Sequence, residues 1–441
     1  MLLNPLKKIV ELQKQGKNVG IYSVCSANGY VIEAALKRGK SDGSCVLIES
    51  TANQCDQNGG YTGMTPTDFK EFVLKIAEKN GFDKQKIFLG GDHLGPLTFA
   101  GKDEAEAMAD AEELIRCYVG AGFTKIHIDT SMKVNSDPAD VRLSDEIIAG
   151  RGARLAQVAE ETYRELLKKE PDAIPPVYII GSEVPIPGGA VGSEDTGVQV
   201  TKVDDFKNTV AAFEKAFESA GLGQDVWNRV IGVVVQPGVE EKDSGCTEYD
   251  REKAKDLMAS IKDFPNLVFE GHSTDYQTKG KLRELIEDGV GILKVGPALT
   301  FAMREAMFAL EHIEKEVLYG TDITPSNFSE TLDEEMLKDD KYWRRHYQGT
   351  ELEVRRKRKY SFSDRCRYYM PTPAVEAAVE RLLENLRTQG IPLNLLSQFM
   401  PIQYTKVREG LLENEPVALV EDRIINTIDE YLYATHQKEL L

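Results

Sequence analysis

No stretch of the 441-residue chain approaches the ~20 consecutive apolar residues of a membrane-spanning helix, which argues against a membrane protein. Cysteine is sparse. The six thiols (Cys25, Cys45, Cys55, Cys117, Cys246 and Cys366) are scattered with no C-x-x-C pair, so neither a disulfide framework nor a paired-cysteine metal or redox motif is expected. They read as reduced, mostly buried residues of a cytoplasmic protein. Positive charge is also short, with 54 Lys+Arg against 72 Asp+Glu and a formal net charge of −18. That balance excludes general nucleic-acid or anionic-membrane binding, which needs a basic footprint. Internal repeats and low-complexity segments are absent. So are the P-loop, a G-x-G-x-x-G between strand and helix, H-E-x-x-H and G-x-S-x-G. The first segment, Met1–Lys17, alternates Leu, Ile and Val with Lys, Gln and Glu, and so reads as an amphipathic helix and not a signal peptide.

What is present is a series of eight short apolar, β-branched runs: Val19–Ser23, Ser44–Glu49, Lys86–Gly91, Lys125–Asp129, Val177–Ile180, Val230–Val235, Leu267–Glu270 and Ile292–Val295. Near-continuous apolarity suits strands covered on both faces. Between them lie segments of helical period, among them Thr67–Asn80 with Thr65 or Thr67 as N-cap, Asp103–Val119 and Leu143–Lys169. Glycines such as Gly81, Gly122 and Gly221 follow as stops. This alternation predicts an α/β fold, a (β/α)8 TIM barrel over residues 1–320, with Phe301–Val317 as its closing helix. A doubly wound sheet is the competing architecture, and the clustering of polar residues at the C-terminal ends of the runs favours the barrel. Residues 321–441 are expected to form a helical C-terminal extension with helices at Glu334–Tyr347, Ala374–Arg387, Asn394–Phe399 and Val420–Ala434. The basic run Arg355–Lys359 reads as a solvated helix face in preference to an anion patch.

The strand ends hold the candidate chemistry. Run three ends in Gly90-Gly91-Asp92-His93, where small residues let a substrate or metal approach the backbone. Adjacent side chains cannot both point inward along an ideal strand, so both reach one site only if the strand end is irregular. In run four, His127 and Asp129 share a face; Asp129 reads as functional and His127 as buried support. Glu183 precedes a Pro/Gly-rich loop and suits a metal-ligating or catalytic carboxylate. Run seven supplies His272 with Ser273 and Asp275 beside it; runs two, six and eight supply Glu49, Gln236 and Lys294 as substrate contacts. His93, Glu183 and His272 would make a two-histidine, one-carboxylate site for a divalent ion, able to polarise the carbonyl of a ketose. Asp92 or Asp129 would then move a proton at the hydroxyl-bearing carbon. Lys294, Arg304, Ser363, Arg365 and Arg367 are candidate anion contacts. No organic cofactor is expected.

Several long segments resemble one family: SVCSANGYVIEAAL (Ser23–Leu36), GGYTGMTPTDF (Gly59–Phe69), GGDHLGP (Gly90–Pro96), SEVPIPGG (Ser182–Gly189), VQPGVE (Val235–Glu240), GHSTDYQT (Gly271–Thr278), LKVGPALTFAMREAMFALE (Leu293–Glu311) and YSFSDRCRYYMP (Tyr360–Pro371). They are similar to the Z-type, so-called non-catalytic subunit of class II tagatose-1,6-bisphosphate aldolase, from galactitol and N-acetylgalactosamine catabolism. The resemblance implies a barrel related to class II aldolases. It also implies a Y-type catalytic partner that cleaves tagatose 1,6-bisphosphate to dihydroxyacetone phosphate and glyceraldehyde 3-phosphate. By the same resemblance Asp92 handles the C4 hydroxyl proton, His93 and His272 bind zinc, and Glu183 stands where the aldolases use a third histidine. That departure admits manganese or nickel beside zinc. Some relatives are stand-alone, metal-dependent epimerases, so a ketose or ketose-phosphate 4-epimerase working by retro-aldol cleavage and re-addition is the second expectation. A sugar-binding module without catalysis is the third. Relatives described as tagatose-6-phosphate kinases would need a nucleotide-binding loop, which the sequence lacks. A homo-oligomer is expected.

Overall fold

The eight runs form eight parallel strands: β1 (Ile21–Cys25), β2 (Val46–Thr51), β3 (Ile87–Leu94), β4 (Lys125–Ile128), β5 (Val177–Ile180), β6 (Val230–Val235), β7 (Val268–Gly271) and β8 (Val290–Val295). They close into a barrel in the order β1-β8-β7-β6-β5-β4-β3-β2, surrounded by helices, a (β/α)8 TIM barrel with further helices after it. The computed structural model describes residues 3–182 and 198–440. Among these, no helix is long and apolar enough to cross a membrane.

Strand alternation sorts the side chains into two sets. Tyr22, Val24, Ile48, Leu89, Ile126, Tyr178 and Phe269 join the large core between strands and helices. Ile21, Leu47, Phe88, Val177, Ile179, Val268 and Ile292 belong to a second core with Leu6, Ile9, Val10 and Leu12, so the N-terminal helix Lys7–Lys14 closes the lower end of the barrel. One step further along the strands, the same inward parity gives Ser23, Glu49, Asp92, Lys125, His127, Glu270 and Lys294, all buried. The barrel interior is therefore apolar below and ionic above.

Local signals set the helix ends. Thr65 and Asp68 form a reciprocal capping box at the start of Pro66–Lys79. Gly81, Gly122 and Gly221 have φ of 58°, 87° and 72° beyond their helices. In the C-terminal part the expected helix at Glu334–Tyr347 is displaced. The helix is Phe328–Lys338, and Trp343 then turns back to donate its indole N–H to Met336 O (2.6 Å). The basic run lies in Glu351–Tyr360, and its second half is not solvated: Arg358 pairs with buried Asp333 (2.6 Å) and Lys359 with Glu330 (2.8 Å). The last long helix, Pro416–Thr435, packs on Gly29–Asp42, Lys279–Glu287 and Pro297–Val317. Just beyond it Gln437 donates to Cys45 O (2.8 Å) and accepts from Tyr22 N (3.2 Å), tying the C-terminus to β1.

Candidate active site at the barrel mouth

The centre of the site is built from β2, β3, β4, β7 and β8. Gly90, in register with Glu49, lacks a side chain because a Cβ there would sit 2.6–2.9 Å from atoms of the Glu49 side chain. Glu49 is fully buried, accepts from Ser23 Oγ (2.6 Å), and pairs with Lys125 (2.8 Å) and Lys294 (2.9 Å). Lys125 also pairs with Glu270 (2.8 Å), and Lys294 with Asp92 (3.0 Å).

The adjacent Asp92 and His93 do reach one site. The register between β3 and β4 shifts between Gly91 and Leu94, and His93 takes φ 51°, so alternation fails at that residue. Three imidazoles consequently converge, with ring centroids 5.1 Å apart for His93–His127, 5.0 Å for His93–His272 and 5.1 Å for His127–His272. Each has its own carboxylate: Asp92 Oδ1 lies 2.7 Å from His127 Nδ1, Asp129 Oδ2 2.8 Å from His93 Nδ1, and Glu270 Oε1 3.0 Å from His272 Nε2. Asp129 also accepts from the amide and hydroxyl of Ser131 (3.1 and 2.6 Å).

Electrostatics fix the protons. Burial would raise Asp92, but Lys294 and His93 hold its carboxyl well below the usual range. His127 Nδ1 lies between Asp92 Oδ1 (2.7 Å) and the backbone N–H of His93, which donates to it (3.2 Å), while His127 Nε2 is buried without a partner. Burial pushes the His272 imidazole down to about 4, so it is neutral. At His93 burial acts the same way, but Asp92 and Asp129 pull the ring up.

Two features test whether the donors suit a divalent cation. Four buried carboxylates (Glu49, Asp92, Asp129 and Glu270) face two ammonium groups (Lys125 and Lys294) and the His93 ring that Asp92 and Asp129 pull up, so carboxylates outnumber the cations around them. Single donor atoms of Asp92, His127, Glu270 and His272 also lie within 4.8 Å of one another. A carboxylate-oriented imidazole with its other nitrogen open is the usual form of a histidine metal ligand. The residues fit.

The pocket above this cluster is lined by Asp92, His93, His272, Ser273, Asp275 and Lys294, by Asn53, Gln54 and Tyr61 from the loop after β2, and by Glu241, Arg367 and Tyr368. Of the expected contacts, Ser273, Asp275 and Lys294 face it; Glu49 and Asp129 lie beneath, bonded as above. Gln236 turns away, its side-chain oxygen accepting from the amides of Gly238 and Val239 (2.8 and 2.9 Å). Glu183 lies outside the described residues. Among the anion candidates, Lys294 and Arg367 line the pocket. Arg304 is instead buried against Asp364 (3.2 Å), Ser363 hydrogen-bonds Ser361 and Tyr347, and Arg365 donates to Tyr342 O.

Glu241 enters from a two-stranded ladder, Glu240–Glu241 with Cys246–Thr247, in the loop after β6. Burial and the neighbouring Asp275 charge push its carboxyl up to about 7, and burial pushes Asp275 up to about 6. Asp275 accepts from the amides of Gly296 and Ala298 (3.0 and 2.8 Å), so a carboxylate caps the helix that follows β8.

Lys125 and Glu270 join the cluster without being among the residues that motif and strand-end position single out. Their signal was parity: Lys125 is in phase with His127, and Glu270 with His272. Nothing local marks Glu241, which tertiary folding alone brings to the pocket.

The profile of D-tagatose-1,6-bisphosphate aldolase subunit GatZ/KbaZ-like proteins matches residues 6–436. The crystal structure of a probable tagatose 6 phosphate kinase from Sinorhizobium meliloti 1021 is 42% identical, with 94% of this chain and 100% of that one covered and a TM-score of 0.84. The YdjI aldolase from Escherichia coli K12 is a distant likeness: 13% identical, 89% of this chain and 98% of that one covered, TM-score 0.42. This chain belongs to the D-tagatose-1,6-bisphosphate aldolase subunit GatZ/KbaZ-like family.

Proposed function

We propose that the barrel mouth is a divalent-metal site for aldol-type chemistry on a ketose or ketose phosphate, in keeping with a tagatose-bisphosphate aldolase-related role. The observation that carries this reading is the set of three converging imidazoles, each beside its own carboxylate, at a barrel mouth where buried carboxylates outnumber the cations. His127 and His272, with His93 beside them and Glu270 between, would hold the ion; zinc, manganese and nickel all accept such donors. A bound divalent ion supplies Lewis-acid polarisation of a carbonyl. The chain's own groups do the rest. Asp92, ionised and exposed to the pocket, is the base for the proton on a substrate hydroxyl oxygen. Lys294, held 3.0 Å from Asp92 and well above its ordinary value by Asp92, Cys25 and Glu49 against the effect of burial, is a fixed positive charge for an oxyanion. Asp129 keeps the His93 ring in one orientation.

The family name makes a Y-type catalytic subunit the expected partner. The completeness of the ionised cluster favours a second reading, a stand-alone ketose or ketose-phosphate 4-epimerase, because a passive subunit has no need of three oriented imidazoles. Phosphoryl transfer, the activity in the name of the S. meliloti relative, is disfavoured: the helix terminus beside the pocket, where backbone amides could take a phosphate, is capped by Asp275.

The test is to strip the purified chain, restore zinc, manganese or nickel, and assay fructose, tagatose and their phosphates, alone and mixed with a Y-type subunit. Metal-dependent turnover that His272→Ala reduces by roughly a thousand-fold or more is expected. Stimulation of the partner that is indifferent to both metal and His272→Ala would overturn the catalytic reading and leave a structural subunit.

A further inference from the structure

The cations that line or underlie the pocket are not equivalent. Lys125 and Lys294 are each engaged by two carboxylates. Arg367 also lines the pocket, yet its guanidinium meets only neutral acceptors: it donates to Ser363 O (2.6 Å), Asp364 O (2.9 Å) and the Tyr368 hydroxyl (3.0 Å). Among the described residues no carboxylate lies within ion-pair distance of it, although its charge reaches Glu241 and Asp275 across the pocket. Its plane rests on Tyr368, with Cζ 4.5 Å from the ring centroid, and Tyr368 in turn packs edge-on to Tyr61 (4.9 Å) and stacks on Tyr342 (4.7 Å).

The backbone that presents Arg367 is equally fixed. Asp364 takes φ 46°, accepts from Thr300 Oγ1 (2.6 Å) and pairs with Arg304, which clamps the 360–371 segment onto the helix after β8. A guanidinium so held has already lost its rotamer freedom, so little ordering opposes a further contact. Barrels of this class commonly take phosphate at the loops after strands seven and eight; here Asp275 fills that position. Arg367 stands instead on the boundary with a second cavity between the helix Gly29–Asp42 and the helix Pro373–Gln389; Glu33, Glu376 and Glu380 line the far side of that cavity, so the guanidinium's own side is where an anion would sit.

We propose that Arg367, from the C-terminal segment, anchors an anionic substituent, phosphate or carboxylate, at the end of the ketose remote from the imidazole cluster. This rests on the ketose reading above, but its test is binding and needs no turnover. Calorimetric titration of the full chain with fructose 6-phosphate, with fructuronate and with fructose compares the two anions with the neutral sugar. Wild type should bind at least one anionic ketose more tightly than fructose, and which one identifies the anion. A charge-assisted contact of this kind sets the preference lost in Arg367→Met at roughly ten- to a hundred-fold, with fructose changed less than about two-fold. Arg367→Lys should retain part of it. Should fructose 6-phosphate prove the tighter ligand, inorganic phosphate should compete with it on the wild-type chain; should Arg367→Met fail to fold, Arg367→Gln carries the same comparison.

The proposal is overturned if wild type shows no preference for either anionic ketose. It is equally overturned if folded Arg367→Met keeps the preference, or loses fructose as much as the anions. A chain that binds anionic ketoses through Arg367 but converts none of them sinks the catalytic reading and leaves this one standing.

Discussion

Gly95 has no room for a methyl group. A Cβ there would lie 1.7 Å from the carbonyl oxygen of Asp129, and its φ of 173° is ordinary extended backbone, so the demand is purely steric. The close approach brings the end of β3 against the residue that orients His93. Gly95→Ala should therefore destabilise by more than about 3 kcal/mol, while Gly101→Ala, with nothing within 4 Å, should stay within ~0.5 kcal/mol in denaturant midpoints. Equal effects would contradict the packing described.

Glu241 makes a pH-dependent prediction at the same scale. Its carboxyl is raised from an ordinary 4.5 to about 7 by burial and by Asp275, with Ser273 and Arg367 acting in the opposite sense. Between those values the folded chain keeps a proton that the unfolded chain has released, so stability falls as pH rises through that window. Glu241→Gln removes the buried charge. Its unfolding free energy should match wild type near pH 4.5 and exceed it at pH 8, by a gap on the order of 3 kcal/mol. A gap that is independent of pH would show that Glu241 is not held in this way.

At the scale of elements, the helix Glu351–Tyr360 divides a five-residue basic run between water and core. Arg356 is exposed, whereas Arg358 reaches Asp333 through two contacts of 2.6 and 3.1 Å, both side chains being buried. Arg358→Ala strands a buried carboxylate and should destabilise by about 3 kcal/mol, with Arg356→Ala near zero, as urea unfolding would report. Composition could not separate these arginines, because the difference lies in what packs opposite. The barrel strands were legible for the converse reason. Runs such as Val230–Val235 are apolar throughout, and no other element covers so short an apolar run on both faces. Glu334–Tyr347 misled because its charged residues keep helical spacing through Asp339–Asp340, where the chain turns.

At the scale of the whole molecule, the two ends of the chain finish the barrel. The N-terminal helix seals the lower core, and the last helix and Gln437 pack against β1, so contacts distant in sequence fix the strand framework that aims the site. The −18 net charge and the carboxylate-rich barrel mouth make a background field that favours cations and opposes anionic ligands. That opposition is one reason a pre-oriented Arg367 matters. That Asp92, His93, Asp129 and His272 gather at one end of the barrel was readable, because strand ends of like polarity meet there. His127 does lie one layer beneath Asp129, fully buried, while the β3 irregularity that brings His93 beside it has no sequence signature beyond its glycines.

The central claim is that the imidazole cluster is a metal site, and cobalt(II) titration of the stripped chain, followed by visible absorption, tests it most directly. One equivalent should bind with the spectrum of nitrogen and oxygen ligation, and His127→Ala or His272→Ala should weaken binding at least roughly ten-fold while the chain stays folded. A folded wild-type chain that binds no cobalt, or binds it equally well without these two histidines, would contradict the account.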